Sequence, residues 1–191
     1  MPPAPSNPTS DLAPNPASNL APSAIVVSRY NQTITSVMCD GAIGAYLDRG
    51  GSKSTLAILE APGAYELVSI ARAAASSGLY GSVVCLGCVI KGETSHDQHI
   101  SNAVANSLAQ ITVVTGVPVS FGVLTTNTNE QALARAGGAK GNKGAEAMNA
   151  ALDAADAIAM LVKAKATNTP GVRFTPGLTP NDKLTSAKES N

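Results

Sequence analysis

The chain has 191 residues, 44% of them hydrophobic, and thirteen acidic residues balance thirteen basic ones. That length and apolar content suffice for one packed domain, and the zero net charge argues against a protein that binds nucleic acid or a membrane surface through electrostatics. Three cysteines are too few for a disulfide framework, and no apolar run is long enough to cross a bilayer. The first residues lack the charged start and apolar block of a secretory signal, so we expect a cytoplasmic protein.

Both ends of the chain are poor in the residues that build a core. Residues 1–23 are mainly Pro, Ala, Ser and Asn, a composition that predicts a disordered tail. Residues 167–191 contain three prolines and little periodicity, so we expect them to be disordered or to strap onto the surface through Phe174. The folded domain is therefore expected to span residues 24–166.

Strand-like and helix-like segments alternate between the tails. Short β-rich apolar runs predict strands, and helical apolar periods or alanine-rich stretches predict helices. In chain order we expect a strand at 24–27, a helix from residue 33, a strand at 55–60, a helix at 64–76, a strand at 82–90, a helix at 97–115, a strand at 117–125, and helices at 128–136 and 145–165. This alternation predicts an α/β fold, a three-layer αβα sandwich with a four-stranded, mostly parallel sheet.

The segments that follow the strands are the expected ligand site, because ligands bind outside the carboxyl ends of the strands in such sheets. These segments contain Tyr30, Tyr65, Glu66 and His96, and Phe121 lies late in the fourth strand. The chain has only six aromatic residues, and three of them are expected near this edge. That concentration favours a flat organic ligand; an equally weighted interpretation is that the two tyrosines only fill space in loops.

Two short motifs admit more than one interpretation. Cys85 and Cys88 form a C-x-x-C, but residues three apart on a strand point to opposite faces, and no second pair completes a zinc site. We therefore interpret them as buried structural thiols. The stretch KGETSHDQH, residues 91–99, holds both histidines. Its composition alone is compatible with a metal site, an acid–base site or the polar start of a helix.

Six motifs occur together, in one order, between about residues 25 and 161. They are RYN (29–31), PGAYE (62–66), GCVIKGETSH (87–96), GVPVSFGVLT (116–125), EQALARAG (130–137) and GNKG (141–144). One such motif is a weak signal, whereas six with matching order and spacing are a strong one. Together they resemble the lumazine synthase family of riboflavin biosynthesis, and the resemblance implies a flavodoxin-like sheet.

The resemblance implies a transferase reaction. The family condenses 5-amino-6-(D-ribitylamino)uracil, here called the aminouracil, with 3,4-dihydroxy-2-butanone 4-phosphate, here called the butanone phosphate. A Schiff base forms, phosphate leaves and the ring closes to 6,7-dimethyl-8-ribityllumazine, in the penultimate step of riboflavin biosynthesis. Neither a metal nor an organic cofactor takes part, so we expect none in this chain.

The matching positions imply roles in binding the aminouracil. By resemblance, Tyr30 stacks on the pyrimidinedione ring, and Glu66 accepts hydrogen bonds from the ribityl hydroxyls. Phe121 matches a residue that the adjacent subunit contributes, and Cys88 matches a position used through its main chain. The full set implied for this substrate is Tyr30, Ala64, Tyr65, Glu66, Cys88, Val89, Ile90, Phe121 and Lys143.

Other matching positions imply contacts to phosphate and proton transfer. Glu93, Thr94 and Arg135 match residues around the butanone phosphate, where the planar guanidinium suits an oxyanion. His96 matches the family's proton-transfer residue, and histidine titrates near neutral pH, as that role requires. Glu146 matches a supporting residue that is expected to orient Arg135.

The surroundings of the histidine depart from the family pattern. The family follows its histidine with an aromatic residue and then Asp or Glu, whereas this chain reads His96-Asp97-Gln98-His99. The acidic residue therefore comes one position early, where we expect Asp97 to cap the following helix. The orientation of His96 accordingly depends on neighbours that the family pattern does not supply.

The resemblance also implies partners. The family assembles as pentamers, or as capsids of twelve pentamers, with sites between neighbouring subunits. We therefore expect a homo-oligomer that binds small-molecule substrates, with riboflavin synthase as a candidate partner and with neither nucleic acid nor membrane as one. Two other classes stay open, a lumazine- or flavin-binding protein without turnover and a shell protein that encloses cargo. A metal site built on Glu93, His96 and His99 is the least favoured alternative.

Overall fold

A computed structural model of the protein describes residues 20–176. Its strands are β1 (Ser23–Ser28), β2 (Leu56–Ala61), β3 (Ser82–Ile90), β4 (Val119–Thr126), β5 (Ala136–Gly138) and β6 (Gly141–Asn142). Its helices are α1 (Gln32–Asp48), α2 (Leu67–Ser76), α3 (His96–Thr115), α4 (Asn129–Arg135) and α5 (Lys143–Ala166), and a 3₁₀ turn covers Lys53–Thr55. The expectations for residues 1–19 and 177–191 lie outside these described residues.

The four longer strands form one sheet in the order β2-β1-β3-β4, and every neighbouring pair is parallel. Helices α1 and α5 pack on one face of this sheet, and α2 and α3 pack on the other. The predicted α/β fold, a three-layer flavodoxin-like sandwich, is therefore confirmed. The chain moves from β1 outward to β2 and then returns to the other side of β1, so the sheet has its switch point between β1 and β3.

Strand β3 is buried on both faces, as its continuous apolar run predicts. Val84, Leu86 and Cys88 belong to the core under α1 and α5, while Val83 and Cys85 belong to the core under α2 and α3. The two cysteines thus point to opposite faces of the sheet, and both are buried and free. This agrees with their interpretation as structural thiols.

Helix α2 begins at Leu67, three residues later than the sequence indicated. The segment before it forms bends and turns instead of a first helical turn. Pro62 and Gly63 are turn-forming residues, and they hold the chain in this irregular path until the buried side chain of Leu67 starts the helix. The later start leaves Tyr65 and Glu66 on a turn rather than on a helix.

A short hairpin of β5 and β6 joins α4 to α5, and the sequence did not predict it. Gly137 and Gly141 adopt positive φ angles of 128° and 78°, which residues with side chains rarely adopt. Asn142 follows the hairpin and caps α5, because its Oδ1 accepts a hydrogen bond of 2.9 Å from the backbone N–H of Gly144. The helix therefore begins at Lys143, two residues earlier than expected.

Helix α5 packs closely along α1. A Cβ on Gly144 would lie 1.9 Å from the carbonyl oxygen of Met38, so only glycine permits this approach. At the far end of α1, the Arg49 guanidinium bonds Asp153 at 2.9 Å and Asp156 at 3.3 Å. These contacts hold α5 in place, and they thereby set where its first turn lies beside β4.

The described ends of the chain join the fold directly. Strand β1 begins at Ser23, and Leu20 packs against the core on the α1 side. At the other end α5 stops at Ala166, and Phe174 is partly buried. Within residues 20–176, no helix is both long enough and apolar enough to cross a bilayer.

Candidate active site

A cavity of about 960 Å³ opens at the carboxyl ends of β1, β2 and β3. This is where a parallel sheet of this topology is expected to bind a ligand. The first cavity, as we call it, is lined by Tyr30, Asn31, Gly63, Ala64, Tyr65, Glu66, Cys88, Val89, Ile90, Gly92, Thr94, His96, Asp97, His99, Ile100 and Ala103. Most of the residues expected to bind the aminouracil are among them.

The turn after β1 presents Tyr30 to the first cavity. Asn31 adopts a left-handed backbone conformation, with φ 59° and ψ 42°, which asparagine tolerates better than most residues. Its side-chain amide donates to the carbonyl oxygen of Cys88 at 2.9 Å, and the N–H of Tyr30 donates to the hydroxyl of Ser28 at 3.2 Å. The ring of Tyr30, 69% exposed, is therefore held at the cavity as an open aromatic face.

The turn after β2 adds a second aromatic ring and a carboxylate. Tyr65 and Glu66 are both exposed, and both precede the first residue of α2. A Cβ on Gly63 would lie 2.9 Å from Glu66 Oε2, so the glycine leaves room for that carboxylate. An exposed carboxylate beside an aromatic ring accepts hydrogen bonds from hydroxyl groups, which suits a ligand that carries a polyol chain.

The turn between β3 and α3 carries a hydroxyl and both histidines. Thr94 Oγ1 accepts a hydrogen bond of 3.4 Å from the backbone N–H of His96, the first residue of α3. His96 is exposed at the cavity wall, so its imidazole can exchange protons with a bound molecule. His99 lines the same cavity one turn later, and its Nε2 lies 3.5 Å from the hydroxyl of Ser95.

The start of α3 differs from expectation at Asp97. Ser95 occupies the N-cap position and makes no side-chain capping bond, while Asp97 lies inside the first turn. The expectation that Asp97 caps the helix was wrong, because the chain is already helical from His96 onward. Glu93 precedes this start, is exposed, and does not line the first cavity.

Cys88 lines the first cavity near the end of β3, while its side chain is buried in the α1 and α5 core. Burial raises the pKa of the Cys88 thiol to about 11 and that of the Cys85 thiol to about 12. Both groups are therefore neutral thiols near neutral pH. Because the thiolate is the reactive form of cysteine, neither residue is a nucleophile for this cavity.

A second cavity, of about 450 Å³, lies between the edge strand β4 and helices α4 and α5. It brings together Phe121, Arg135, Lys143 and Glu146. Lys143 forms an ion pair with Glu146, and a guanidinium N–H of Arg135 donates to the carbonyl of Gln131 at 3.0 Å. Glu146 thus pairs with Lys143 rather than with Arg135, the partner that the sequence suggested.

The expected site residues are therefore divided between two cavities of one chain. Thr94 and His96 line the first cavity, whereas Arg135, which was expected beside Thr94 at the butanone phosphate, lines the second. The two linings share no residue. The first cavity offers aromatic faces, a carboxylate and an imidazole, which suit a polar ring and proton transfer. The second offers cationic groups suited to a phosphate.

The metal alternative gains no support from the side-chain positions. Across residues 20–176, no three His, Cys, Asp or Glu side chains are grouped as metal ligands would be. His96 and His99 share one cavity wall, whereas Glu93 does not line it.

Among the residues of the first cavity that were not singled out as site residues from the sequence are the polar residues Asn31 and Asp97. Asn31 had a usable signal, because an asparagine directly after a strand is a common left-handed turn residue. Asp97 had no such sequence signal, because its place on the cavity wall depends on the residue at which α3 begins.

The comparisons with known proteins show which family this chain belongs to. The family model described as 6,7-dimethyl-8-ribityllumazine synthase matches residues 21–159. The 6,7-dimethyl-8-ribityllumazine synthase of Deinococcus deserti is 48% identical over 130 residues, which are 68% of this chain and 83% of that protein. The proteins of the same name from Desulfotalea psychrophila and Deinococcus radiodurans are 43% and 45% identical, over 71% and 70% of this chain and 87% and 86% of their own lengths. The sequence resemblance is thereby confirmed, and the chain belongs to the 6,7-dimethyl-8-ribityllumazine synthase family.

Proposed function

We propose that this chain catalyses the condensation of the aminouracil with the butanone phosphate. The product is 6,7-dimethyl-8-ribityllumazine, and phosphate is released. Family membership supports this reaction directly, because relatives named 6,7-dimethyl-8-ribityllumazine synthase match this chain over most of their own length. The residues of the first cavity supply the groups that the reaction needs.

The observation that carries the proposal is the position of His96. Its imidazole lies exposed at the wall of a cavity that also presents the rings of Tyr30 and Tyr65 and the carboxylate of Glu66. Stacking on Tyr30 orients the pyrimidinedione ring, and Glu66 accepts hydrogen bonds from the ribityl hydroxyls. A ring bound in this way lies beside His96.

His96 has proton-transfer work at two stages. When the amine of the aminouracil condenses with the ketone, the nitrogen gives up both of its protons, and the carbonyl oxygen takes up two protons and leaves as water. When phosphate is eliminated, a carbon loses a proton as the phosphate departs. Histidine is the side chain that most often moves protons in such steps. Thr94 and Arg135 bind the phosphate, Arg135 through its planar fork.

We also infer that the working protein is a homo-oligomer whose sites form between subunits. His96 and Arg135 line different cavities of one chain, and the two linings share no residue. A second copy that brings its β4 edge to the first cavity would supply the cationic groups and the ring of Phe121. Phe121 is 44% exposed on that edge, as a residue awaiting such a contact would be.

The proposed catalytic domain is residues 24–166, and the proposed location is the cytoplasm. Every residue that lines the two cavities lies between residues 30 and 150. The three cysteines are free and buried, which fits a reducing compartment.

The direct test mixes the purified chain with both substrates and follows lumazine absorbance together with released phosphate. We expect the two signals to appear in equal amounts and to survive EDTA. An intact oligomer that binds the product but shows no turnover would refute the enzyme and support a lumazine-binding protein. An oligomer that neither binds nor turns over would support a shell protein.

Complementation tests whether the sites lie between subunits. His96→Ala and Arg135→Ala each remove one group, so each homo-oligomer is expected to be nearly inactive. Unfolding the two variants together and refolding them as a mixture creates interfaces that carry both native residues. Recovery of activity only in the mixed oligomer is expected. If a mass measurement verifies the mixed assembly but activity does not recover, then both residues act in the site of one chain.

A further inference from the structure

The side chain of Asn142 makes four hydrogen bonds within residues 20–176, although it lines neither cavity. On one side, its Nδ2 donates to the main-chain carbonyl of Val37 at 2.9 Å and to that of Ala136 at 3.4 Å. On the other side, its Oδ1 accepts from the backbone N–H groups of Gly144 at 2.9 Å and Ala145 at 3.2 Å. An amide satisfies two carbonyls and two N–H groups at once, whereas a carboxylate has no donor for the carbonyls.

These bonds join three elements beside the second cavity. Val37 belongs to α1, and Ala136 directly follows Arg135 at the end of α4. Asn142 itself directly precedes Lys143, the first residue of α5. Arg135 and Lys143 are the cations that line the second cavity, and the segment between them, AGGAKGN, contains three glycines. Glycine allows many backbone conformations, so this segment alone does not fix where the two cations lie.

Helix α1 makes room for the amide of Asn142. Gly41 lies inside this helix, where glycine is less favourable than alanine. A Cβ at Gly41 would lie 2.3 Å from Nδ2 and 2.5 Å from Oδ1 of Asn142, so any larger residue would displace the amide. Gly44, three residues later in the same helix, has no described atom within 4 Å of such a Cβ. The Asn142 side chain therefore explains the glycine at position 41, and it leaves the one at position 44 unexplained.

We propose that Asn142 is a positioning residue for Arg135. Its amide fastens the β5–β6 hairpin to α1, and it thereby fixes where α4 ends and where the guanidinium enters the second cavity. This inference rests on the function proposed above, in which Arg135 binds the butanone phosphate. A guanidinium grips an oxyanion through a planar fork, so its affinity depends on direction as well as on charge. Loosening the hairpin weakens phosphate binding while the charge stays in place.

The kinetic test replaces Asn142 with serine, which keeps an oxygen to cap α5 but lacks the amide donors. Asn142→Ser is expected to raise the KM for the butanone phosphate about 3- to 10-fold, the usual effect of losing neutral hydrogen bonds. The inhibition constant of inorganic phosphate should rise by the same factor. The KM for the aminouracil should change much less, because α5 and Lys143 keep their cap. A merely structural role would lower the urea midpoint without separating the two KM values.

Two glycines of α1 provide a second test that leaves Asn142 in the sequence. Gly41→Ala displaces the amide, so it is expected to raise the KM for the butanone phosphate as Asn142→Ser does. Gly44→Ala is the matched control, the same substitution in the same helix. It should leave both KM values unchanged and raise the urea midpoint, because alanine is favoured over glycine inside a helix. Gly41→Ala decides the question if Asn142→Ser does not fold.

Combining the change with one at Arg135 shows whether Asn142 acts through that residue. Arg135→Lys has already lost the planar fork, so direction matters less in that background. There Asn142→Ser should raise the KM for the butanone phosphate no more than about twofold, since coupled residues do not act additively. An equal rise in both backgrounds would show that Asn142 does not act through Arg135, and it would overturn the proposal.

The remaining contrary results can be told apart. An unchanged KM for the butanone phosphate in folded Asn142→Ser and Gly41→Ala would refute the positioning role. A smaller oligomer in these variants would also refute it, because the amide would then act on assembly rather than on Arg135. Absence of both turnover and product binding in the unaltered protein would instead refute the proposed function itself.

Discussion

The side-chain amide of Asn31 donates a hydrogen bond of 2.9 Å to the carbonyl oxygen of Cys88, across 57 positions in the chain. The bond joins the carboxyl ends of β1 and β3, the neighbouring strands at the switch point of the sheet. Asn31 is also left-handed, and its carbonyl accepts hydrogen bonds from the N–H groups of Ile34 and Thr35 as α1 begins. One residue therefore ends β1, starts α1 and directs Tyr30 toward the first cavity.

Replacing Asn31 tests both its hydrogen bond to Cys88 and its left-handed backbone conformation. Asn31→Ala is expected to destabilise the fold by about 2 kcal/mol, because it removes a hydrogen bond worth about 1 kcal/mol and puts alanine, which tolerates left-handed backbone less well than asparagine, at that position at a further cost of about 1 kcal/mol. Asn31→Gly loses only the hydrogen bond, so its loss should be about half as large. Urea unfolding measures both variants. Equal losses would argue against a left-handed requirement at this position.

Replacing His96 tests the proton-transfer role. His96→Ala is expected to lower kcat by about 10²–10⁴-fold, the usual contribution of general acid–base catalysis. The fold should be unaffected, because the side chain is exposed. His99→Ala is the matched control, since His99 lines the same cavity on the same helix, and its kcat should change much less. Equal losses in the two variants would contradict a specific role for His96.

Replacing Arg135 tests the phosphate contact. Arg135→Lys keeps the positive charge but loses the planar fork, so the KM for the butanone phosphate should rise about tenfold or more. Steady-state kinetics with each substrate varied in turn would measure this, and the KM for the aminouracil should stay constant. Lys140→Ala serves as the control, because Lys140 is an exposed cation nearby that lines neither cavity. An unchanged KM for the phosphate substrate would remove Arg135 from the site.

The buried thiols predict a loss of stability at high pH. Burial raises the pKa of Cys88 to about 11 and of Cys85 to about 12, from 9.0, and burial together with the charge of Asp40 raises that of Cys39 to about 11. The folded state holds these protons more tightly than the unfolded state does. The stabilisation is therefore complete below pH 9 and is lost as pH rises through 11 and 12.

Urea unfolding measured at intervals from pH 8 upward would follow this loss, with each thiol contributing at most about 1.4 kcal/mol per pH unit. Tyrosine and lysine side chains also titrate at high pH, so Cys85→Ala provides the comparison. That variant is expected to lose stability less steeply with pH than the unaltered protein. Identical slopes would show that the Cys85 thiol is not the source.

Local sequence patterns predicted the fold of this protein and several residues that line the first cavity. The apolar run of β3, Ser82–Ile90, was predicted with both bounds correct, because a strand buried on two faces has a signal that does not depend on its neighbours. The carboxyl edge of a parallel sheet then fixes where the turns after β1, β2 and β3 meet. Tyr30, Glu66 and His96 consequently line one cavity, as the positions of the turns implied.

The starts of α2 and α5 show where local patterns fail. Helix-forming residues extend back to residue 64, but the turn that Pro62 begins holds them out of the helix. In α5 the opposite occurs, because the Asn142 cap and the close approach of Gly144 to Met38 start the helix early. Each of these two helix starts differs from its predicted position by only a few residues, and each difference changes which side chains face a cavity.

By itself, the sequence determined the α/β class, the order of the elements, the family and the identity of the residues available for chemistry, because periodicity and motifs are carried by neighbouring residues. Only the tertiary structure decided how those residues are grouped. His96 and Arg135 line separate cavities, and Asp97 joins the wall of the first one. These outcomes depend on helix packing and on hydrogen bonds between distant residues, such as that from Asn31 to Cys88, which no local pattern encodes.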